Sequence, residues 1–368
     1  MKLVIDDKIP YVRGVFEPFA DVLYRHGAAF SVGDVADADA LVVRTRTEVG
    51  PALLEHSAVR LVVTATVGVD HLETRWLAER GIEWRSCPGC NAESVAQYMT
   101  AAFLHLSARS GRSLRELVLG VVGAGHVGKK VIAKARALGM TVLVNDPPRE
   151  AEEGLDRFSA LEKLQQEADF ITFHVPMDRE GPYRSVHLAD GAFLAGMKDT
   201  AVLFNTSRGA VVDNGALSDA LRRRDIGGAV LDVWEGEPDI DRQLLALTDI
   251  ATPHIAGYSA DGKALGTAMS VRHVSRFFGL GLDEWHPAEP PLPGPMHIEL
   301  RGKGAGGTSD AVEHTYDILA DDRCLRQDPG GFERQRGRHP VRREFGAYTV
   351  SADDAALLDT LSALGFKR

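Results

Sequence analysis

The segment Gly123-Ala124-Gly125-His126-Val127-Gly128 constrains the fold more than any other part of this 368-residue chain. It follows Val118-Leu119-Gly120-Val121-Val122, which reads as a buried strand, and it opens a stretch, Val127 to Leu138, that reads as a helix. Asp146 ends the next strand, Thr141 to Asn145, at the roughly 20-residue distance a ribose-binding acid requires. A GxGxxG pattern alone is weak. Placed between a strand and a helix, with an acid at that distance, it is a dinucleotide fingerprint. Gly123 allows the tight turn, Gly125 lets a pyrophosphate approach the backbone, and Gly128 allows close helix–strand packing. The helix N-terminus at His126 and Val127 supplies N–H donors and positive potential to the phosphates. Asp146 would accept the ribose hydroxyls of NAD and repel the extra phosphate of NADP, an inference that nearby Arg149 tempers.

The rest of the chain supplies the sheets such a turn needs. Leu3-Val4-Ile5, Leu41-Val42-Val43 and Leu61-Val62-Val63-Thr64 read as buried strands, with Val12 to Arg25 and Thr74 to Arg80 as crossover helices. After the uncharged stretch Ser94 to Ala108, which reads as a buried helix, strands are expected at Phe170–Phe173, Ala201–Asn205, Gly228–Val233 and Ile250–Thr252. Helices are expected at Asn214–Arg223 and Ser259–Leu280. Strands alternating with helices at this spacing predict doubly wound parallel sheets, an α/β fold. Five prolines (Pro287, Pro290, Pro291, Pro293 and Pro295), followed by Gly302, Gly304, Gly306 and Gly307, mark a linker or irregular edge between His286 and Asp310. Beyond it a small α/β module is expected, with a helix at Ala311–Ala320, a strand at Ala347–Val350 and a helix at Asp353–Leu364.

Composition narrows the partners. Lys+Arg 42 against Asp+Glu 52 gives a net charge of -10, which argues against a nucleic-acid partner. The stretch Ser94 to Ala108 is too short for a membrane span, and the acidic N-terminus does not read as a signal peptide. Three cysteines suit a reducing cytoplasm and no disulfide framework.

Three polar groups fall at the ends of later strands, where open α/β sheets bind ligands. They are Asn205-Thr206-Ser207-Arg208-Gly209, Asp232-Val233-Trp234-Glu235-Gly236-Glu237-Pro238 and Pro253-His254-Ile255-Ala256-Gly257-Tyr258. Oxidising an alcohol with NAD needs a base for the hydroxyl proton, and histidine titrates near neutrality. A carboxylate behind it fixes the tautomer and favours the imidazolium. Arginine offers a bidentate grip on a substrate carboxylate.

With these stretches the sequence resembles the D-isomer-specific 2-hydroxyacid dehydrogenase family. Val43-Arg44-Thr45-Arg46-Thr47, Thr64 to His71, Pro88 to Ala92, Asp146 to Arg149, Arg208 to Asn214 and Leu231 to Pro238 carry the resemblance, which reaches Leu364-Gly365-Phe366. It implies a Rossmann-type NAD domain over 99–255, a flavodoxin-like substrate domain over 1–98 and 256–285, and a linker and α/β dimerisation domain over 286–368. Arg208, Glu237 and His254 match the active-site positions, with His254 as proton carrier. Asp146, Val175, Thr206, Asp232 and Gly257 match cofactor contacts, and Thr45, Thr66 and Tyr258 match substrate contacts. Thr45 and Val175 stand where relatives carry serine and threonine; Thr45 keeps a hydroxyl, whereas Val175 offers only backbone polar groups. Arg44 and Arg46 lie where one of them could bind an anion. The implied partners are a small phosphorylated 2-hydroxy acid and a second copy of the chain.

Other signals point less sharply. Cys87-Pro88-Gly89-Cys90 has CxxC spacing, yet no second ligand pair supports zinc and no thioredoxin-like context supports redox chemistry. The arginine-rich stretch from Arg323 through Arg326, Arg334, Arg336 and Arg338 to Arg342 and Arg343 reads as a solvated, salt-bridged surface, or as a dimer or phosphate contact. Two functions compete: oxidation of a different 2-hydroxy acid, for example 3-phosphoglycerate, by the same chemistry, and non-enzymatic NAD sensing on the same fold.

Overall fold

The computed structural model describes residues 1–154, 157–288 and 290–368; Glu289, inside the expected linker, lies outside them. They divide into two compact units, Met1–Asn91 with Ser259–Pro291, and Ala92–Tyr258 with Leu292–Arg368.

In the first unit β1 (Lys2–Asp6), β2 (Asp21–Arg25), β3 (Ala40–Val43), β4 (Leu61–Thr64) and β5 (Glu83–Arg85) form a parallel sheet in the order β2-β1-β3-β4-β5. That is the flavodoxin-like order. Strand β3 and β4 are buried along their whole length, as β-branched runs covered on both faces are. Alternate residues serve opposite faces: Val4, Leu41 and Val62 enter one apolar cluster. Leu3, Ile5, Val42 and Val63 enter another, with Val271 and Val274 of the helix Ala260–Phe278.

The helix expected at Val12–Arg25 is absent. Residues 12–20 run as turns, and 21–25 form edge strand β2. Tyr11 and Gly14 take left-handed φ values of 61 and 84, and Pro18 removes an N–H, so no helix can propagate there. Val12, Val15 and Phe16 mimic helical spacing but pack on the sheet from turns.

In the second unit β6 (Val118–Val122), β7 (Thr141–Asn145), β8 (Phe170–Phe173), β9 (Val202–Asn205), β10 (Gly228–Leu231) and β11 (Ile250–Ala251) form a second parallel sheet, ordered β11-β10-β9-β8-β6-β7. Strand β7 lies on one side of β6 and β8 on the other, which makes the C-terminal end of β6 a topological switch point, where dinucleotides bind. Ser159 donates to Val144 O at 2.7 Å and holds the chain beside edge strand β7. The helix Ala92–Ser110 backs the sheet; its Phe103 packs on Phe170 and Phe204 with ring centroids 5.8 and 5.4 Å apart.

The C-terminal residues share a core with this sheet rather than standing as a module of their own. Tyr316, Ile318, Phe345, Leu361 and Phe366 belong to the same buried cluster as Tyr98, Val121 and Phe204. The expected linker is shorter than its composition suggests: β12 (His297–Glu299) pairs in parallel with β13 (Thr349–Ser351), and a helix starts at Gly307. The helix expected at Ala311–Ala320 is two, Gly307–Thr315 and Ile318–Gln327, because the Asp317 carboxylate accepts the Ala320 N–H and starts a new helix. Among the described residues no helix is long and apolar enough to cross a membrane.

Candidate active site

The glycine turn has the geometry its chemistry demands. Gly123 takes φ 90, and a Cβ there would meet His174 O at 2.6 Å. A Cβ on Gly128 would lie 2.0 Å from Gly123 O, so the helix His126–Ala137 touches the strand end through bare backbone. Gly125 caps that helix, and a Cβ there would meet nothing within 4 Å. Its open face and the helix's first N–H groups form a cradle that fits a pyrophosphate. Asp146 is fixed at the rim: Oδ2 accepts the Ala124 N–H at 2.7 Å and Oδ1 the Arg149 N–H at 3.1 Å. Arg149 is engaged as well, donating to Ala124 O at 2.8 Å and pairing with Glu153. The Val175 side chain lies against Gly123, leaving its backbone as its polar part.

His174, which the motifs do not single out, stands where β8 ends. Its Nε2 lies 3.1 Å from Thr172 Oγ1 and its Nδ1 3.5 Å from Thr206 Oγ1. Burial pushes the imidazole down to about 3, so it is neutral at physiological pH. Its position directly after Phe170–Phe173 was the available signal; its partners lie on two different strand ends.

Arg208 sits in a turn built by Asn205. Asn205 Nδ2 donates to Arg208 O at 2.9 Å, and its Oδ1 accepts the Ser207 N–H and hydroxyl at 3.1 and 2.9 Å. The guanidinium of Arg208 donates to Ser207 O at 2.8 Å. A Cβ on Gly209 would lie 2.0 Å from Trp234 O, so the turns after β9 and β10 are in backbone contact. The structure thus brings the Arg208 turn beside the turn that carries Glu237.

Glu237 and His254 form a pair. Glu237 Oε1 accepts the Trp234 N–H at 2.8 Å and Oε2 meets His254 Nδ1 at 2.8 Å. Burial alone would raise the Glu237 carboxyl, but the His254 charge and the hydrogen bonds from His254 and Trp234 outweigh it and hold the group below its ordinary value. With Nδ1–H donating to the carboxylate, Nε2 is the atom left to take a proton. His254 has φ 55, a left-handed value rare outside glycine and typical of functional sites.

Asp232, expected as a cofactor contact, is 1% exposed and serves the protein backbone. Its carboxylate accepts Thr252 Oγ1 at 2.6 Å and the N–H groups of Ile255 and Ala256 at 2.8 and 2.9 Å, while its carbonyl accepts the His254 N–H. Burial raises its carboxyl against these bonds and the His254 charge. Gly257 and Tyr258 follow in the same loop. The Tyr258 ring meets the His339 ring edge-on at 6.1 Å and lies 5.8 Å from the Arg336 guanidinium.

In the first unit, Arg44, Thr45 and Arg46 follow β3, and Thr66 follows the adjacent β4. Arg44 grips Asp6 with two bonds of 3.1 Å, so its charge is neutralised within the protein. Thr45 and Arg46 are exposed, and the Thr66 hydroxyl lies 2.8 Å from that of Thr64. Burial raises the Cys87 thiol to about 11, so no thiolate exists there at neutral pH. In the arginine-rich stretch, Arg323, Arg326, Arg334 and Arg336 are ion-paired, but Arg342 and Arg343 are each 3% exposed and not part of a solvated surface.

Comparison with known proteins settles the family. The NAD-binding domain of the D-isomer specific 2-hydroxyacid dehydrogenases matches residues 92–256, and a family described as a domain of unknown function matches 303–365. The chain is 45% identical over 351 residues to the erythronate-4-phosphate dehydrogenase of Bacteroides thetaiotaomicron, covering 95% of this chain and 99% of the relative. It is 41% identical over 373 residues to that of Escherichia coli O81, covering 100% and 98%. The chain belongs to the erythronate-4-phosphate dehydrogenase family. This chain is longer than that of a solved D-lactate dehydrogenase of Aquifex aeolicus, complexed with NAD and lactic acid. All of that enzyme aligns with 79% of this chain, at 25% identity and a TM-score of 0.66.

Proposed function

We propose that this chain oxidises 4-phospho-D-erythronate at C2 to (R)-3-hydroxy-2-oxo-4-phosphooxybutanoate with NAD, a step of pyridoxine 5'-phosphate (vitamin B6) synthesis. The observation that carries this reading is the His254–Glu237 pair, 2.8 Å apart, at strand ends beyond a dinucleotide cradle. Bound NAD supplies the acceptor for the hydride leaving C2. His254 Nε2 takes the proton of the C2 hydroxyl, and the Glu237 carboxylate stabilises the imidazolium so formed. Arg208 grips the substrate carboxylate and polarises the C2–O bond. Gly125 and the first N–H groups of the following helix cradle the pyrophosphate, Gly123 and Gly128 shape the turn that presents them, and Asp146 takes the ribose hydroxyls. Thr45, Thr66 and Tyr258 contact the substrate. The reaction runs in the cytoplasm, which suits three cysteines present as thiols.

The likeness to erythronate-4-phosphate dehydrogenases over the whole chain supports this substrate over other hydroxy acids. NADH formation at 340 nm, measured with 4-phosphoerythronate, 3-phosphoglycerate and D-lactate in turn, tests it. Turnover is expected with the first; faster turnover of either other acid overturns the assignment. We also propose that the segment 286–368 carries a homodimer contact, a reading supported by the match of residues 303–365 to a separate domain family. Light scattering of the intact protein at twice the chain mass is expected, and a monomer would refute it.

A further inference from the structure

His254 hangs from the weakest strand of its sheet. Strand β11 has two residues, pairs among the described residues with β10 alone and lies at the sheet edge. On its open side, C-terminal side chains complete it. Asp322 Oδ1 accepts the Ala251 N–H at 2.7 Å, the donor that a further strand would take. Arg326, paired with Asp322, donates to Leu245 O at 2.6 Å and Thr248 O at 2.9 Å, on the approach to the strand. Beyond the strand, Arg342 Nη2 donates to Ala256 O at 2.6 Å, two residues past His254, and to Ser94 O at 3.4 Å.

Arg342 is an unusual residue to bury. It is 3% exposed, its guanidinium lies 4.3 Å over the Tyr316 ring, and its Nε and Nη1 have no hydrogen-bond partner among the described residues. Its described partners are carbonyl oxygens and an aromatic face, with no carboxylate to compensate the desolvated charge. Such burial is poor value for stability. What it does hold is the loop that carries His254. The Ile255 and Ala256 N–H groups are bound by Asp232 and the Ala256 carbonyl by Arg342, so this peptide is clamped from both ends. A left-handed φ at His254 persists where its surroundings over-determine it.

We propose that Arg342 is a positioning residue for catalysis: through Ala256 it holds the His254 loop so that Nε2 faces the substrate hydroxyl. The C-terminal extension thereby completes the active-site loop of its own chain. This rests on the reading of His254 as the base.

The test compares Arg342→Met, Arg342→Lys and His254→Ala in the full-length protein. Each is measured for kcat per NADH-binding site, NAD KM, and the isotope effect with 4-phosphoerythronate deuterated at C2. Arg342→Met should lower kcat by about 10²-fold, the scale of a misplaced reacting group. NAD KM should stay unchanged and the isotope effect should rise, because hydride transfer becomes limiting. Arg342→Lys keeps one donor and should recover about 10-fold of that loss. Loss of NADH-binding sites with normal kcat per remaining site would show a structural role and overturn the proposal. If Arg342→Met does not fold, Arg342→Lys carries the test, and wild-type kcat and isotope effect there overturn it. A wild-type rate in His254→Ala overturns the base reading itself; a slow His254→Ala beside a normal Arg342→Met overturns the positioning role alone.

Discussion

At the scale of single residues, Glu237 supplies the charge that makes His254 effective. Because Glu237 is held below its ordinary value of 4.5, it is ionised throughout the neutral range. Any stabilisation it lends is present above pH 4.5 and is lost only as pH falls through its depressed folded value. Glu237→Gln keeps an acceptor for Nδ1–H but removes the charge that favours a protonated ring. The plateau of the kcat/KM profile should therefore fall by about 10-fold or more, because the imidazolium formed as the hydroxyl proton is taken up loses its counter-charge. An unchanged profile would remove Glu237 from the mechanism. Asp146→Ala tests the cofactor rim. It should weaken NAD, loosen the Ala124 turn that Asp146 holds at 2.7 Å, and narrow the preference over NADP. Equal kcat/KM for NAD and NADP in the wild type would contradict the role given to Asp146. These residues were legible in the sequence because each sits in a short motif after a strand. Arg342 was not, since its partner Ala256 is far away in the chain and an arginine among arginines reads as surface.

At the scale of elements, the site depends on contacts that leave no room for a side chain. Gly128→Ala places a Cβ 2.0 Å from Gly123 O, backbone that cannot yield cheaply. It should cost about 1–3 kcal/mol and abolish NADH binding; a variant that binds NADH normally would show the turn to be slack. The end of β8 gives a pH prediction. His174 is held neutral down to about 3, whereas an unfolded histidine takes up its proton at 6.5. The unfolded chain therefore binds more protons between these values, and stability falls as pH drops below 6.5. The slope is at most about 1.4 kcal/mol per pH unit from this group. His174→Asn should flatten the fall of Tm between pH 6.5 and 5, and an unaltered slope would contradict it. Strands such as β3, β4, β6 and β8 were readable because a buried β-branched run has few alternatives. Val12–Arg25 misled because apolar spacing dominated the reading, while Gly14 and Pro18 decided the backbone.

At the scale of the molecule, the C-terminal residues are built into the second unit. Ile298, Val312, Tyr316, Phe345 and Phe366 are buried in the cluster that also contains Tyr98 and Val121. Deleting residues 292–368 would expose that cluster and remove the bonds from Asp322, Arg326 and Arg342 around β11. The truncated chain should be insoluble or molten, with loss of NADH binding, rather than a folded monomer. A soluble truncation that binds NADH with native affinity would show the unit to be divisible. Composition marked the proline-rich segment as a boundary, but it could not show that the chain returns to the core beyond it. The most direct measurement of the central claim is single-turnover NADH formation by His254→Ala, with saturating NAD and 4-phosphoerythronate. The rate should fall by about 10²–10⁴-fold while NADH binding, followed by fluorescence, stays native; a wild-type rate would mean that His254 is not the base.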